Sequence, residues 1–146
     1  MAYILAAIAG VLNMLQSGSN ATLNGKLEAG PVVPALVVYL VGILGVLAAS
    51  PFIGKPAEGL LRNAGTVPWW GWIGGLLGAF YVVVTLTQAK AMGAGPFTAV
   101  TLTAAVVASL VLDHFGLLGF DVHPISALRL LGGALMVAGV VLVARF

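Results

Sequence analysis

Five uncharged hydrogen-bonding side chains recur near the start of the sequence: Asn13, Gln16, Ser17, Asn20 and Asn24. At about 100° per helical residue, they fall within roughly a 100° arc. Carboxamides and hydroxyls both donate and accept hydrogen bonds, so their chemistry is recognition of a polar solute rather than acid–base or covalent catalysis. They lie in a run, Ala2 to Gly25, that carries no charge. In hydrocarbon, an unsatisfied group of this kind costs kilocalories. The stripe therefore faces water or another helix. One reading is a solute pathway lined by amides; the other is interhelical hydrogen bonding, worth about 0.6 kcal/mol per pair in membranes. Five aligned groups exceed what packing needs, which favours the pathway.

A second face comes from the region of Tyr81. Trp70, Gly74, Thr85 and Gln88 project within about 40° of Tyr81, and Gly78 near 60°. Tyr81 and Thr85 are candidates for the wall of the same cavity, although Gly74 and Gly78 also form a small-xxx-small pair that admits another backbone. Thr98 and Thr101, with Ser109, mark a flank of a further helix as possible solute contacts. Threonine in such a helix commonly bonds back to its own carbonyls, which is the competing reading. Asp113-His114 is the one candidate proton or interface site near a membrane face, with capping and loop hydrogen bonds as the alternative. Glu28, Glu58 and Asp121 fall in turns. No nucleophile–base–acid set, metal-ligand spacing or phosphate loop is present, so neither enzymatic chemistry nor a metal or cofactor is expected.

These groups must be held by helices within a bilayer. Of the 146 residues, 61% are hydrophobic and 7% charged, against about 25% charged in soluble domains. Too few charges remain to solvate a globule. The six Lys and Arg, giving a net charge of +2, are scattered singly, which excludes a nucleic-acid surface. With no cysteine, disulfides and thiolate chemistry are excluded too. Charges and prolines punctuate the sequence at membrane-sized intervals and predict one all-α membrane domain over 1–146. Its helices fall near 2–24, 31–50, 69–89, 96–112 and 126–145. Trp69, Trp70 and Trp72 suit a headgroup boundary. The continuous apolar runs lack the alternation of a membrane β-barrel. The first run is long enough to span and has no basic leader, so it reads as a retained helix rather than a cleaved signal. Fifteen uncharged residues separate Arg129 from Arg145, about 22 Å of helix, so both arginines are expected to snorkel to opposite interfaces.

Orientation is the least specified property. Five crossings place Lys55, Arg62 and Arg129 on one side and Lys26, Lys90 and Arg145 on the other, three against three. Topology normally follows an excess of Lys and Arg on the cytoplasmic side. The tie points to insertion both ways up and assembly as an antiparallel dimer. The competing reading is that a partner or another factor fixes one orientation.

The segments QSGSNATLNGKL (16–27), PWWGWIGGLLGAFYV (68–82), LDHFGLLGF (112–120) and PISALRLLGGALMVAGVVLV (124–143) resemble the half-size, YdcZ-type branch of the drug/metabolite transporter superfamily. That resemblance implies a bacterial inner-membrane protein whose five helices form half of a ten-helix, inverted-repeat carrier. The second half is an antiparallel copy or a paired homologous chain. Small multidrug-resistance relatives place a glutamate in helix one; this chain has only amides and Ser17 there, so proton-driven export of aromatic cations does not carry over.

The resulting expectation is a small secondary transporter for a neutral, zwitterionic or weakly charged organic solute. Asn13, Gln16, Ser17 and Asn20 from both copies would meet near the bilayer centre, with Tyr81, Thr85, Thr98 and Thr101 around them. One subunit of an obligate heterodimer and an accessory subunit of another membrane complex are the alternatives.

Overall fold

The computed structural model describes residues 1–53 and 62–146, and every regular element among them is helical. Lys55 and Glu58, which sequence reasoning puts in the longest polar connection, lie outside the described residues. Among those described, five helices are long and apolar enough to cross a membrane. They are α1 (Ala2–Leu27), α2 (Val32–Ile53), α3 (Trp69–Met92), α4 (Ala94–Phe115) and α5 (Ala127–Arg145). The shortest, α5, has 19 residues, about 28 Å at 1.5 Å per residue, enough for a hydrocarbon core of about 30 Å.

Local chemistry sets the helix ends. α1 stops at Glu28, which takes the left-handed conformation (φ 49°), and Gly30 (φ 68°) and Pro31 complete the turn into α2. α2 does not stop before Pro51 but carries it inside its last turn. A proline there has no N–H for the carbonyl four residues back. That carbonyl, Leu47 O, instead accepts from Ser50 Oγ at 2.8 Å, so the helix continues. α3 opens with the short turn Trp69–Trp72 and resumes at Gly74 after Ile73. Trp69 and Trp72 are exposed, as an aromatic belt at the headgroups requires. α4 follows Gly93, whose φ of 88° strongly favours glycine. Pro96 stands third in α4, where backbone N–H groups have no intrahelical partner in any case.

The chain forms two compact units, Met1–Gln88 and Ala89–Phe146. In the first, α1 packs against α2 and is hydrogen-bonded to α3. In the second, α4 and α5 form an antiparallel hairpin. A Cβ on Gly133 would lie 3.4 Å from Leu110 Cδ1, and one on Gly95 3.8 Å from Val143 Cγ1. The start of each helix thus lies beside the end of the other, and Gly133 is buried where they approach. Gly132 and Gly139 meet nothing within 4 Å. No span is more than 17% buried by the chain itself. Leu36, Leu40, Ile43, Leu44 and Leu47 of α2 are all exposed. Surfaces this apolar need lipid or another apolar chain as their solvent.

Candidate functional site

The amide face of α1 turns toward α3. Tyr81 Oη donates to Asn13 Oδ1 at 3.3 Å, and Asn24 Nδ2 donates to the Leu86 carbonyl at 3.0 Å. The two bonds progress in the same direction along both helices, as the first and third of consecutive crossings should. Asn13 lies eleven residues into α1 from Ala2, about 17 Å of rise, near the middle of a bilayer core. Ser17, Asn20 and Thr85 are buried. Ser17 Oγ donates to Asn13 O at 3.0 Å and Thr85 Oγ1 to Tyr81 O at 2.8 Å. Both hydroxyl protons are therefore engaged on their own helices, and both oxygens keep acceptor capacity.

Asn20 stands apart. The residue is buried, 5% exposed, yet it has no hydrogen-bond partner among the described residues. Its polar atoms are not sealed off, because no fully enclosed nitrogen or oxygen lacks a partner. The amide is thus confined, not fully enclosed, and unmatched among the described residues. Gln16, one turn earlier, is exposed and likewise has no partner among the described residues. The α1 stripe thus divides in two. Asn13 and Asn24 bond to α3, while Gln16 and Asn20 have no partner among the described residues.

Helix α2 contributes a group that the sequence reading passes over. Tyr39 Oη lies 3.2 Å from where a Cβ on Gly78 would stand. Tyr39 is the only polar side chain between Val32 and Ala49, and that isolation is the signal that could have found it. Thr98 and Thr101 belong to the second unit. Thr101 Oγ1 donates to Phe97 O at 2.9 Å and to Thr98 O at 3.1 Å, so its proton stays on its own helix. The buried hydroxyl of α4 is Thr103, which the sequence reading did not single out.

Asp113 and His114 hold the connection from α4 to α5. Asp113 Oδ2 lies 3.5 Å from Arg129 Nη1. The Asp113 carbonyl accepts from His123 N at 2.8 Å, and His114 Nδ1 accepts from Ile125 N at 3.2 Å. Arg129 also donates to His123 O at 3.2 Å, and its backbone N–H bonds the α5 N-cap, Ser126 Oγ, at 3.3 Å. Gly116 (φ 61°) makes the turn possible: a Cβ there would meet Val122 Cγ2 at 2.7 Å. Among the described residues, no three His, Cys, Asp or Glu gather to hold a metal ion.

Over residues 1–142 the sequence matches the family described as "Putative inner membrane exporter, YdcZ". It is also similar to the inner membrane protein YdcZ of Escherichia coli (strain K12). The two are 31% identical over 114 residues, covering 78% of this chain and 75% of that protein. No solved structure matches.

Proposed function

This chain belongs to the YdcZ family of multi-pass inner-membrane proteins, described as exporters, and from that premise we propose that it is a secondary transporter working as an antiparallel pair of identical chains. Residues 1–142 match the family, and in this reading the whole of 1–146 is one membrane domain, half of a ten-helix carrier. The solute is a small organic molecule, neutral, zwitterionic or weakly charged. Gln16 and Asn20 of each copy bind it, Ser17 and Thr85 offer it acceptor oxygens, and Asn13 with Tyr81 frames the site.

The observation that carries this reading is the amide of Asn20, unmatched among the described residues and buried within the uncharged run Ala2 to Gly25. Packing alone gives no reason to retain it. Leucine has nearly the same shape, and removing an unsatisfied polar group is neutral or stabilising. A solute that bonds the amide only during transit supplies the reason. The balance of Lys and Arg supports two opposite orientations, and two inverted copies around a shared midplane site are the arrangement that permits alternating access. Asp113, His114 and Arg129 then serve at the membrane face, by keeping the α4–α5 connection closed over the helix ends.

The purified chain reconstituted alone in proteoliposomes tests this. Screening labelled amino acids, polyols and nucleosides should find a solute whose uptake saturates and which shows counterflow against an internal unlabelled pool. Flux linear in concentration without counterflow would indicate a passive pore. No flux until a second membrane protein is added would indicate a subunit of another complex.

A further inference from the structure

Tyr39 lies seven residues into α2 and fourteen before its end, about 10 Å and 21 Å from the two ends of the helix. A phenol at that depth is too far from either interface to be solvated by the headgroup layer from a lipid-facing position. A hydroxyl left unpaired in hydrocarbon costs kilocalories, and buried tyrosines nearly always find a partner for the O–H. Yet Tyr39 Oη has no hydrogen-bond partner among the described residues. The residue shares its partial burial with Val37 and Val38 before it. Tyr39 is half-buried, whereas Leu40 and Val41 are exposed.

The reason for its placement lies on α3. A Cβ at Gly78 would come within 3.2 Å of the hydroxyl, a distance that already crowds the two atoms, so glycine leaves the space this oxygen occupies. On α3, Gly78, Tyr81 and Thr85 project within about 60° of one another. The α2 phenol therefore reaches the α3 face whose Tyr81 bonds to Asn13 of α1. Two helices, α1 and α2, bring polar groups to one side of α3, and one of those groups is an O–H with no acceptor among the described residues.

We propose that Tyr39 is a solute-binding residue, donating its hydroxyl to an acceptor oxygen or nitrogen of the transported molecule. This deepens the transporter reading above and rests on it. It also narrows the solute class. Gln16, Asn20 and the phenol can each donate or accept, but an O–H with its proton unengaged has a donor to place. The solute therefore presents an acceptor such as a carbonyl, ether or carboxylate oxygen toward α2 and α3.

The absence of cysteine makes the test direct. Tyr39→Cys, Asn20→Cys and Leu40→Cys are made singly, and each is treated in native membranes with a membrane-impermeant methanethiosulfonate. Only an ionised thiol reacts, so a thiol in hydrocarbon is inert. Tyr39→Cys is expected to react at least about tenfold faster than Leu40→Cys, as a group on a wet pathway does. Should Tyr39→Cys fail to accumulate, Gly78→Cys combined with Tyr39→Phe, which removes the hydroxyl that a Gly78 Cβ would crowd, puts a thiol into the same space and is expected to react equally fast. Reaction as slow as that of Leu40→Cys overturns the assignment. If Asn20→Cys is fast while Tyr39→Cys is slow, the pathway stands and Tyr39 lies outside it. If both are slow, the pathway itself is wrong.

Discussion

A chain carrying Gln16→Leu and Asn20→Leu together is expected to insert, fold and pair as the unaltered protein does, and to lose at least about 80% of its solute flux below saturation. Neither amide has a hydrogen-bond partner among the described residues, so no observed bond is lost when both are removed. A hydrogen bond between protein and solute contributes about 0.5–1.5 kcal/mol. Losing two therefore costs about 1–3 kcal/mol, a five- to 150-fold loss of affinity, and more if both copies contact the same molecule. Asn24→Leu should do the reverse. It deletes the bond to the Leu86 carbonyl and lowers stability by about 0.6 kcal/mol, typical of interhelical bonds in membranes, while leaving solute affinity nearly unchanged. Thermal unfolding in detergent beside counterflow in proteoliposomes separates the two effects. Equal loss of stability in all three substitutions, with unaltered flux, would mean that the α1 stripe only packs.

Charge placement should produce the second large effect. Each side of the membrane carries three Lys and Arg in the five-crossing topology. Asn63→Lys with Asp121→Lys makes the balance five to three in one sense, and Glu28→Lys with Phe146→Lys makes it five to three in the other. An excess of two in short connections is enough to set orientation in a chain with no other bias. All four positions are exposed, so folding of the individual chain is unaffected. Each variant expressed alone then has every copy the same way up, the inverted pair cannot form, and flux falls to background. Expressing the two together restores it, because each supplies the orientation that the other lacks. A single-orientation variant with full flux would show that inverted pairing is dispensable.

The membrane spans are legible in the sequence because lipid imposes a simple rule: about 20 apolar residues per crossing, with charges and prolines confined to the ends. The rule weakens where a side chain repairs what a proline removes. Pro51 reads as a stop until Ser50 is seen to satisfy the Leu47 carbonyl. The polar face of α1 is legible for a similar reason, since helical periodicity alone aligns its amides. Which amides α3 engages is not. That depends on how α1 and α3 cross, so the bonds of Asn13 to Tyr81 and of Asn24 to Leu86 are tertiary facts. Tyr39 is hidden for a related cause. It is solitary within α2, and the feature that explains it is a missing side chain at Gly78, thirty-nine residues later. Asp113 and His114 draw notice as titratable groups at a helix end, but their partners, Arg129 and the Ile125 N–H, appear only once the loop has folded back.

If the working unit contains two copies of this chain in opposite orientations, the C-terminal residue lies on both faces of the membrane, and labelling it shows this. Phe146→Cys, in a sequence that has no other cysteine, is expressed at low level in intact cells with the outer membrane permeabilised. It is then exposed to an impermeant maleimide, before and after the inner membrane is opened. Half of the thiols should react before opening and the other half only afterwards, and a bifunctional reagent should not join two C-termini within one pair. Labelling of all copies, or of none, before opening would show a single orientation and contradict the two-chain inverted carrier.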